Sequence, residues 1–150
     1  MEKKWIALIC IIILLVIGSI TFYSFANQDN KVKIGDTSFQ IPEGYHVDNS
    51  KSNNVTNLTN GKHDIYIKMY DDKNIKKHIN SYINQSEENN KSVKISNFTV
   101  GKTLVYKSNL NTSSSVHYWF VKNNKTYTIY SWDKNPEIDS ITIKLIESIS

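Results

Sequence analysis

The stretch VTNLTNGKHDIYIKMY, Val55 to Tyr70, reads as two alternating runs joined at Asn60-Gly61, a pair that supplies the positive φ angles of a two-residue type I′ hairpin turn. With that turn Thr59 faces Lys62, Leu58 faces His63 and Thr56 faces Ile65, so Leu58, Ile65, Ile67 and Met69 share one face. Val55, Tyr66, Lys68 and Tyr70 take the other face. The first face is the candidate core of an antiparallel sheet.

On the N-terminal side, Val32 and Ile34 alternate with lysines, Gly35-Asp36 makes a turn, and Phe39 and Ile41 alternate with Ser38 and Gln40, which predicts a short hairpin. Pro42 to Gly44 stops it, and Tyr45 and Val47 resume an extended run. On the C-terminal side, Asp72 can cap a helix beginning near Asn74, with Ile75, Ile79, Tyr82 and Ile83 at helical spacing and Glu87 to Asn90 as its end. Val93, Ile95, Phe98 and Val100 predict a strand with an irregularity where the alternation breaks, and Thr103 to Lys107 a further strand after Gly101-Lys102. After a polar loop, Val116 to Val121 and Thr126 to Trp132 form a last hairpin around Asn123-Asn124. Asn135, Pro136 and Glu137 mark the start of a terminal helix whose stripe is Ile138, Ile141, Leu145 and Ile149, with Ile146 beside it. This order predicts an α+β domain: a mostly antiparallel sheet with a mid-chain helix and a C-terminal helix.

Ahead of the domain, Trp5 to Phe25 carries no charge over twenty-one residues, enough to cross a ~30 Å hydrocarbon core as a helix. Lys3 and Lys4 precede it, so the positive-inside bias places the N-terminus in the cytoplasm and the domain outside the cell membrane. The expected organisation is a transmembrane signal-anchor over 1–26, a short tether over 27–30 and an extracytoplasmic domain over 31–150. The alternative is a secreted protein with a cleaved signal peptide, since Ser24 and Ala26 form a small-x-small pair. The apolar run is longer than the usual signal core, which favours the anchor.

The formal net charge of +4 comes from a chain in which all eighteen basic residues are Lys. Bidentate recognition of phosphate and guanine leans on Arg, so its absence counts against a nucleic-acid partner. The single cysteine, Cys10, lies in the apolar run, and the domain must be held by packing without a disulfide. Asn-x-Ser/Thr sequons begin at Asn54, Asn57, Asn84, Asn90, Asn97, Asn111 and Asn124. They are candidate N-glycosylation sites, and also the accidental product of an Asn- and Ser-rich chain.

Phe39-x-Ile41-Pro42-x-Gly44-Tyr45, the late Tyr127-x-Ile129 and the aliphatic terminal helix with Ile141, Leu145, Ile146 and Ile149 resemble a PsbP-like domain, the family of the extrinsic photosystem subunit and its small secreted or lipid-anchored relatives. The anchored, Asn-rich format is also similar to small surface proteins of methanogenic archaea. The resemblance implies an accessory or binding module.

Catalytic and metal chemistry find little support. His46, His63, His78 and His117 are dispersed, there is no G-x-S-x-G, and the five glycines stand singly, so neither a zinc site, a nucleophile elbow nor a phosphate loop is expected, and no cofactor. A small envelope hydrolase is the alternative class. One constellation carries a binding hypothesis: with Asn123-Asn124 as a two-residue turn, Phe120 faces Tyr127, Tyr118 faces Ile129 and Val116 faces Ser131, leaving His117, Trp119, Tyr130 and Trp132 on the opposite face. Either helices cover both sides of the sheet and these rings are core, or a partly open aromatic face binds a glycan, peptide, protein or membrane partner.

Overall fold

The computed structural model describes residues 30–48, 55–110, 115–133 and 135–149. Among these residues the elements run β1 (Lys31–Ile34), β2 (Thr37–Gln40), β3 (His46–Asp48), β4 (Val55–Thr59), β5 (Asp64–Tyr70), α1 (Ile75–Glu88), β6 (Val93–Val100), β7 (Thr103–Leu110), β8 (Val116–Lys122), β9 (Lys125–Ser131) and α2 (Pro136–Glu147). The apolar run Trp5 to Phe25 lies outside the described residues, and among the described residues no helix is long and apolar enough to cross a membrane.

Strands β1 and β2 pair as a small ribbon, and the other seven form one sheet in the order β3-β4-β5-β9-β8-β7-β6. Every neighbouring pair in the large sheet is antiparallel. Its centre is the long-range pairing of β5 with β9, which sets Ile67 opposite Ile129 and Tyr66 opposite Tyr130. The mixed α+β architecture, with a mid-chain and a C-terminal helix on an antiparallel sheet, is the one expected.

One face of this sheet is the core. Leu58, Ile65, Ile67, Val105, Phe120, Tyr127 and Ile129 are fully buried there, and α2 and the β1–β2 ribbon close over them. Phe39 of β2 meets Tyr127 edge to face at 5.6 Å, while the Tyr127 hydroxyl donates at 2.9 Å to Thr37 Oγ1 and reaches the Ile34 carbonyl at 3.1 Å. On α2, Asn135 Oδ1 accepts from the Ile138 amide and Pro136 opens the first turn, as the sequence signals require. Ile138, Leu145 and Ile146 are buried, each contributing roughly 1.5–3 kcal/mol relative to exposure. Thr142 is buried in the same stripe, whereas Ile141 is only half-buried, so the stripe is centred one position further round the helix than expected. The Asp139 carboxylate ties α2 to the sheet, accepting from the Tyr118 hydroxyl and from Lys107 Nζ at 2.8 Å.

Three local expectations change. The β4–β5 connection is a four-residue loop: Leu58 pairs with Ile65 and Thr59 with Asp64, and not with His63 and Lys62. Gly61 has a positive φ of 81°, but Asn60 does not share it; instead Asn60 Oδ1 accepts from the amides of Lys62 and His63 at 2.9 and 2.7 Å. The shift is an even number of residues, so Leu58, Ile65 and Ile67 still share the core face. The mid-chain helix is capped by Asn74, whose side chain accepts from the Lys77 amide, while Asp72 accepts from the Asn74 amide one step earlier. Strand β6 has no irregularity, since its eight residues pair without a break from Val93 opposite Leu110 to Val100 opposite Thr103. Its apolar residues switch faces because α1 and α2 both pack on β6, from opposite sides of the sheet.

The β8–β9 hairpin follows the expected register: Phe120 pairs with Tyr127, Tyr118 with Ile129 and Val116 with Ser131. Asn123 and Asn124 both take left-handed backbone conformations, with φ of 51° and 60°, as a type I′ turn demands.

Candidate functional site

On the face opposite the core, β8 contributes His117 and Trp119, β9 contributes Thr128 and Tyr130, and Trp132 follows the end of β9. The structure brings all four expected aromatic residues together. The His117 ring lies nearly parallel to Tyr130 (5.1 Å, 9°) and to Trp119 (5.7 Å, 17°). Trp132 stands close to perpendicular to both His117 and Tyr130, at 84° and 76°.

Two more rings join them, and a stacked pair lies alongside. Pairing of β5 with β9 stacks Tyr66 on Tyr130 at 5.1 Å, and α1 sets Tyr82 over His117 at 4.4 Å and over Trp119 at 5.1 Å. At the start of α1, His78 stacks on Tyr70 at 3.8 Å and holds both Asp72 carboxylate oxygens at 2.9 and 3.0 Å through Nε2. This bond, with the Asn74 amide second, holds the Asp72 carboxyl below its ordinary range. Tyr66 and Tyr70 already share a face in the sequence pattern, but only the non-local β5–β9 pairing puts them beside Tyr130. Tyr82 sits on the apolar stripe of its helix and gave no separate signal.

This face is covered in one part and open in another. Helix α1 packs on β8 and β6 and closes over His117 and Trp119, which are 9% and 2% exposed. Apart from the His78–Tyr70 stack at its start, it leaves the β9 end of the face open: Tyr130 is half-buried and Trp132 is 62% exposed. The result is a groove between α1 and the bare part of the sheet, made of two depressions of about 400 and 220 Å³ that share Tyr82, Gln85, His117 and Trp132. The larger falls in the usual range of small-ligand pockets.

The groove is short of negative charge. Lys68 borders the larger depression and Lys91 the smaller, and among the described residues no Asp or Glu lines either. Lys68 Nζ stands 4.8 Å above the Tyr70 ring. Beneath the groove the His117 imidazole is pushed down to about 4 by desolvation and is neutral at neutral pH, while burial raises the Tyr130 phenol above its ordinary value. Tyr82 Oη, His117 Nδ1 and Thr128 Oγ1, on residues that line the larger depression, are buried without a hydrogen-bond partner among the described residues.

The remaining histidines are spread over the domain: His46 is exposed on β3, and His63 faces Asp133 and Glu137 at 2.5 and 3.9 Å. Among the described residues no three or more His, Cys, Asp or Glu side chains converge as a metal site needs. Of the sequons, Asn84, Asn90, Asn97 and Asn124 are exposed. Asn54 and Asn111 lie outside the described residues. Asn57 is 1% exposed, with its amide directed at Asp48 and Asp64, so the folded chain offers no room for a glycan there.

No protein-family model and no curated protein sequence matches the chain. Among solved structures it is similar to cyanobacterial PsbP (CyanoP) from Synechocystis sp. PCC 6803, with a TM-score of 0.50 and 7% identity, over 80% of this chain and 90% of that one. At that identity the likeness speaks for the fold alone, and it agrees with the motifs at Phe39 to Tyr45 and Tyr127-x-Ile129 and with the terminal helix that packs on the sheet. The seven-stranded antiparallel sheet with its ribbon and two helices is a PsbP-like fold.

Proposed function

We propose that this chain is a single-pass membrane protein whose PsbP-like domain faces outward and serves as a non-catalytic binding or accessory module, with the groove between α1 and the sheet as its binding site. The observation that carries the reading is the half-covered aromatic face: Trp132 stands exposed beside Tyr130, where a fully closed sheet would have buried both. The uncharged run from Trp5 to Phe25 after Lys3 and Lys4 supports the anchor and its orientation.

Two measurements test this. Protease added to intact cells should remove an epitope placed after Ser150 while the mature N-terminus remains at Met1 or Glu2; a chain starting at Asn27 would replace the anchor with a cleaved signal peptide. Cells displaying the full chain should retain a probe from a panel of glycans and peptides, and Trp132→Ala should weaken that retention about tenfold or more. Retention indifferent to Trp132→Ala would move the site off the groove.

The Asp72–His78 pair favours a second reading, a small envelope hydrolase. An imidazole oriented by a carboxylate at one end of the groove is the arrangement of a general base. Conversion of a panel probe to product, abolished by His78→Gln, would establish the enzyme in place of the binding module.

A further inference from the structure

We infer that the groove takes an acidic saccharide, with a sugar ring stacked on the exposed indole of Trp132 beside Tyr130 and its carboxylate or sulfate groups held by Lys68 and Lys91. The inference rests on the groove being the binding site and adds the chemistry of what it binds.

The first argument is shape. Tyr130 is stacked between Tyr66 and His117 and so turns its edge to the groove, and the Trp132 indole, 62% exposed, stands at 76° to it with centroids 5.7 Å apart. A pyranose has C–H faces that lie against an aromatic plane and hydroxyls that project from its rim, so the open indole of Trp132 can take one face of the ring while the rim turns towards the Tyr130 edge. An extended peptide would draw on backbone pairing at a strand edge, which a groove on the sheet's face does not provide.

The second argument is the polar wall. Ser81 and Gln85 of α1 and its C-cap Asn89 recur every fourth residue and all line the groove, the two helical residues about 6 Å apart along the axis, with the Asn89 side-chain amide donating at 2.7 Å to the Gln85 carbonyl and its oxygen left to accept. A hydroxyl and two amides in a row are donors and acceptors of the type that read sugar hydroxyls. Tyr82 and Thr128, whose buried hydroxyls have no hydrogen-bond partner among the described residues, line the same groove.

The third argument is charge. Lys68 and Lys91 border the two depressions with no carboxylate among the described lining residues, while Asp72, near the same end as Lys68, is already engaged by His78. A neutral sugar gives those ammonium groups nothing to neutralise; an acidic one matches both. A single-stranded nucleic acid would also offer anions and flat rings, but the chain has no Arg anywhere to grip phosphates bidentately.

The test uses the full chain in detergent micelles, titrated calorimetrically with oligogalacturonate, dextran sulfate, neutral dextran, polyglutamate and oligo-dT. Saturable binding of oligogalacturonate or dextran sulfate is expected, weakened by salt and weakened roughly tenfold by each of Lys68→Glu and Lys91→Glu. Trp132→Ala should weaken it at least as much, and neutral dextran should bind at least tenfold less well. Thermal unfolding and the milder Lys68→Gln and Lys91→Gln variants separate lost contacts from lost folding. Neutral dextran, polyglutamate or oligo-dT binding as well as the acidic saccharides, with loss on Trp132→Ala, would overturn the ligand class and leave the groove standing. Absence of any binding sensitive to Trp132→Ala would overturn both.

Discussion

Tyr82 of α1 rests on His117 of β8, ring centroids 4.4 Å apart, and this contact marks where the helix seals the aromatic face and where it leaves it open. On the sealed side His117 and Trp119 are core; on the open side Tyr130 and Trp132 are surface. A histidine in that position has a pH-dependent consequence. Its folded pKa of about 4 is below the ordinary 6.5, so between those values the unfolded chain binds a proton that the folded chain refuses. Stability is therefore unaffected by this group above pH 6.5 and falls as pH drops towards 4, by roughly 3 kcal/mol in all. Denaturant unfolding of the full chain across this window should show the fall. His117→Gln should flatten it relative to the parent, whatever the carboxylates add; identical slopes in the two proteins would mean His117 titrates freely.

The terminal helix gives a sharper mutational contrast. Leu145 is 1% exposed under the sheet, and Leu145→Ala should leave a cavity costing roughly 2–5 kcal/mol. Lys144 is exposed on the next position, and Lys144→Ala should change stability by less than about 0.5 kcal/mol. Chemical denaturation compares the two; equal, negligible effects would mean the helix is undocked.

The Tyr127 hydroxyl is one of the polar ties that hold the ribbon β1–β2 to the sheet. Tyr127→Phe keeps the ring packed on Phe39 but removes the hydroxyl that joins Thr37 Oγ1 and the Ile34 carbonyl. A loss of about 1–2 kcal/mol is expected, concentrated in the ribbon. Hydrogen exchange should quicken at Val32 and Phe39 before it does at Ile67; a uniform change across the sheet would deny the ribbon this local dependence.

How far the chain was legible follows from the range of each signal. Alternation and turn chemistry are local, so the last hairpin could be placed to the residue and Phe120 set against Tyr127. Asn60-Gly61 misled by two residues because Asn60 uses its side-chain oxygen to cap the loop amides, without adopting the left-handed backbone that a type I′ turn needs. The broken alternation at Val93, Ile95, Phe98 and Val100 suggested an irregular strand; the actual cause, a helix on each side of one regular strand, is tertiary and invisible along the chain. The site shows the same limit. His117, Trp119, Tyr130 and Trp132 share one hairpin and were legible, whereas Tyr66, Tyr70 and Tyr82 reach them only through the β5–β9 pairing and the docking of α1.

The β8–β9 turn fixes which aromatic rings point to the core and which to the groove, because a one-residue slip would exchange Phe120 and Tyr118 for Trp119 and His117. That register depends on two asparagines held at φ of 51° and 60°. The Asn124 side chain is exposed, so a substitution there reads mainly the cost of its backbone conformation. Asn124→Ala should lose about 1–2 kcal/mol, since alanine tolerates the left-handed region poorly. Asn124→Gly should stay within about 0.5 kcal/mol of the parent. Asn123 does more than hold the turn, for its amide also reaches the Asp36 carbonyl at 3.4 Å and Thr37 Oγ1 at 3.3 Å. Asn123→Gly should therefore cost more than Asn124→Gly despite identical backbone relief. Denaturant midpoints of the three variants decide it: Asn124→Ala matching Asn124→Gly would show that the turn does not need its left-handed residues, and the register argument for the aromatic groove would lose its footing.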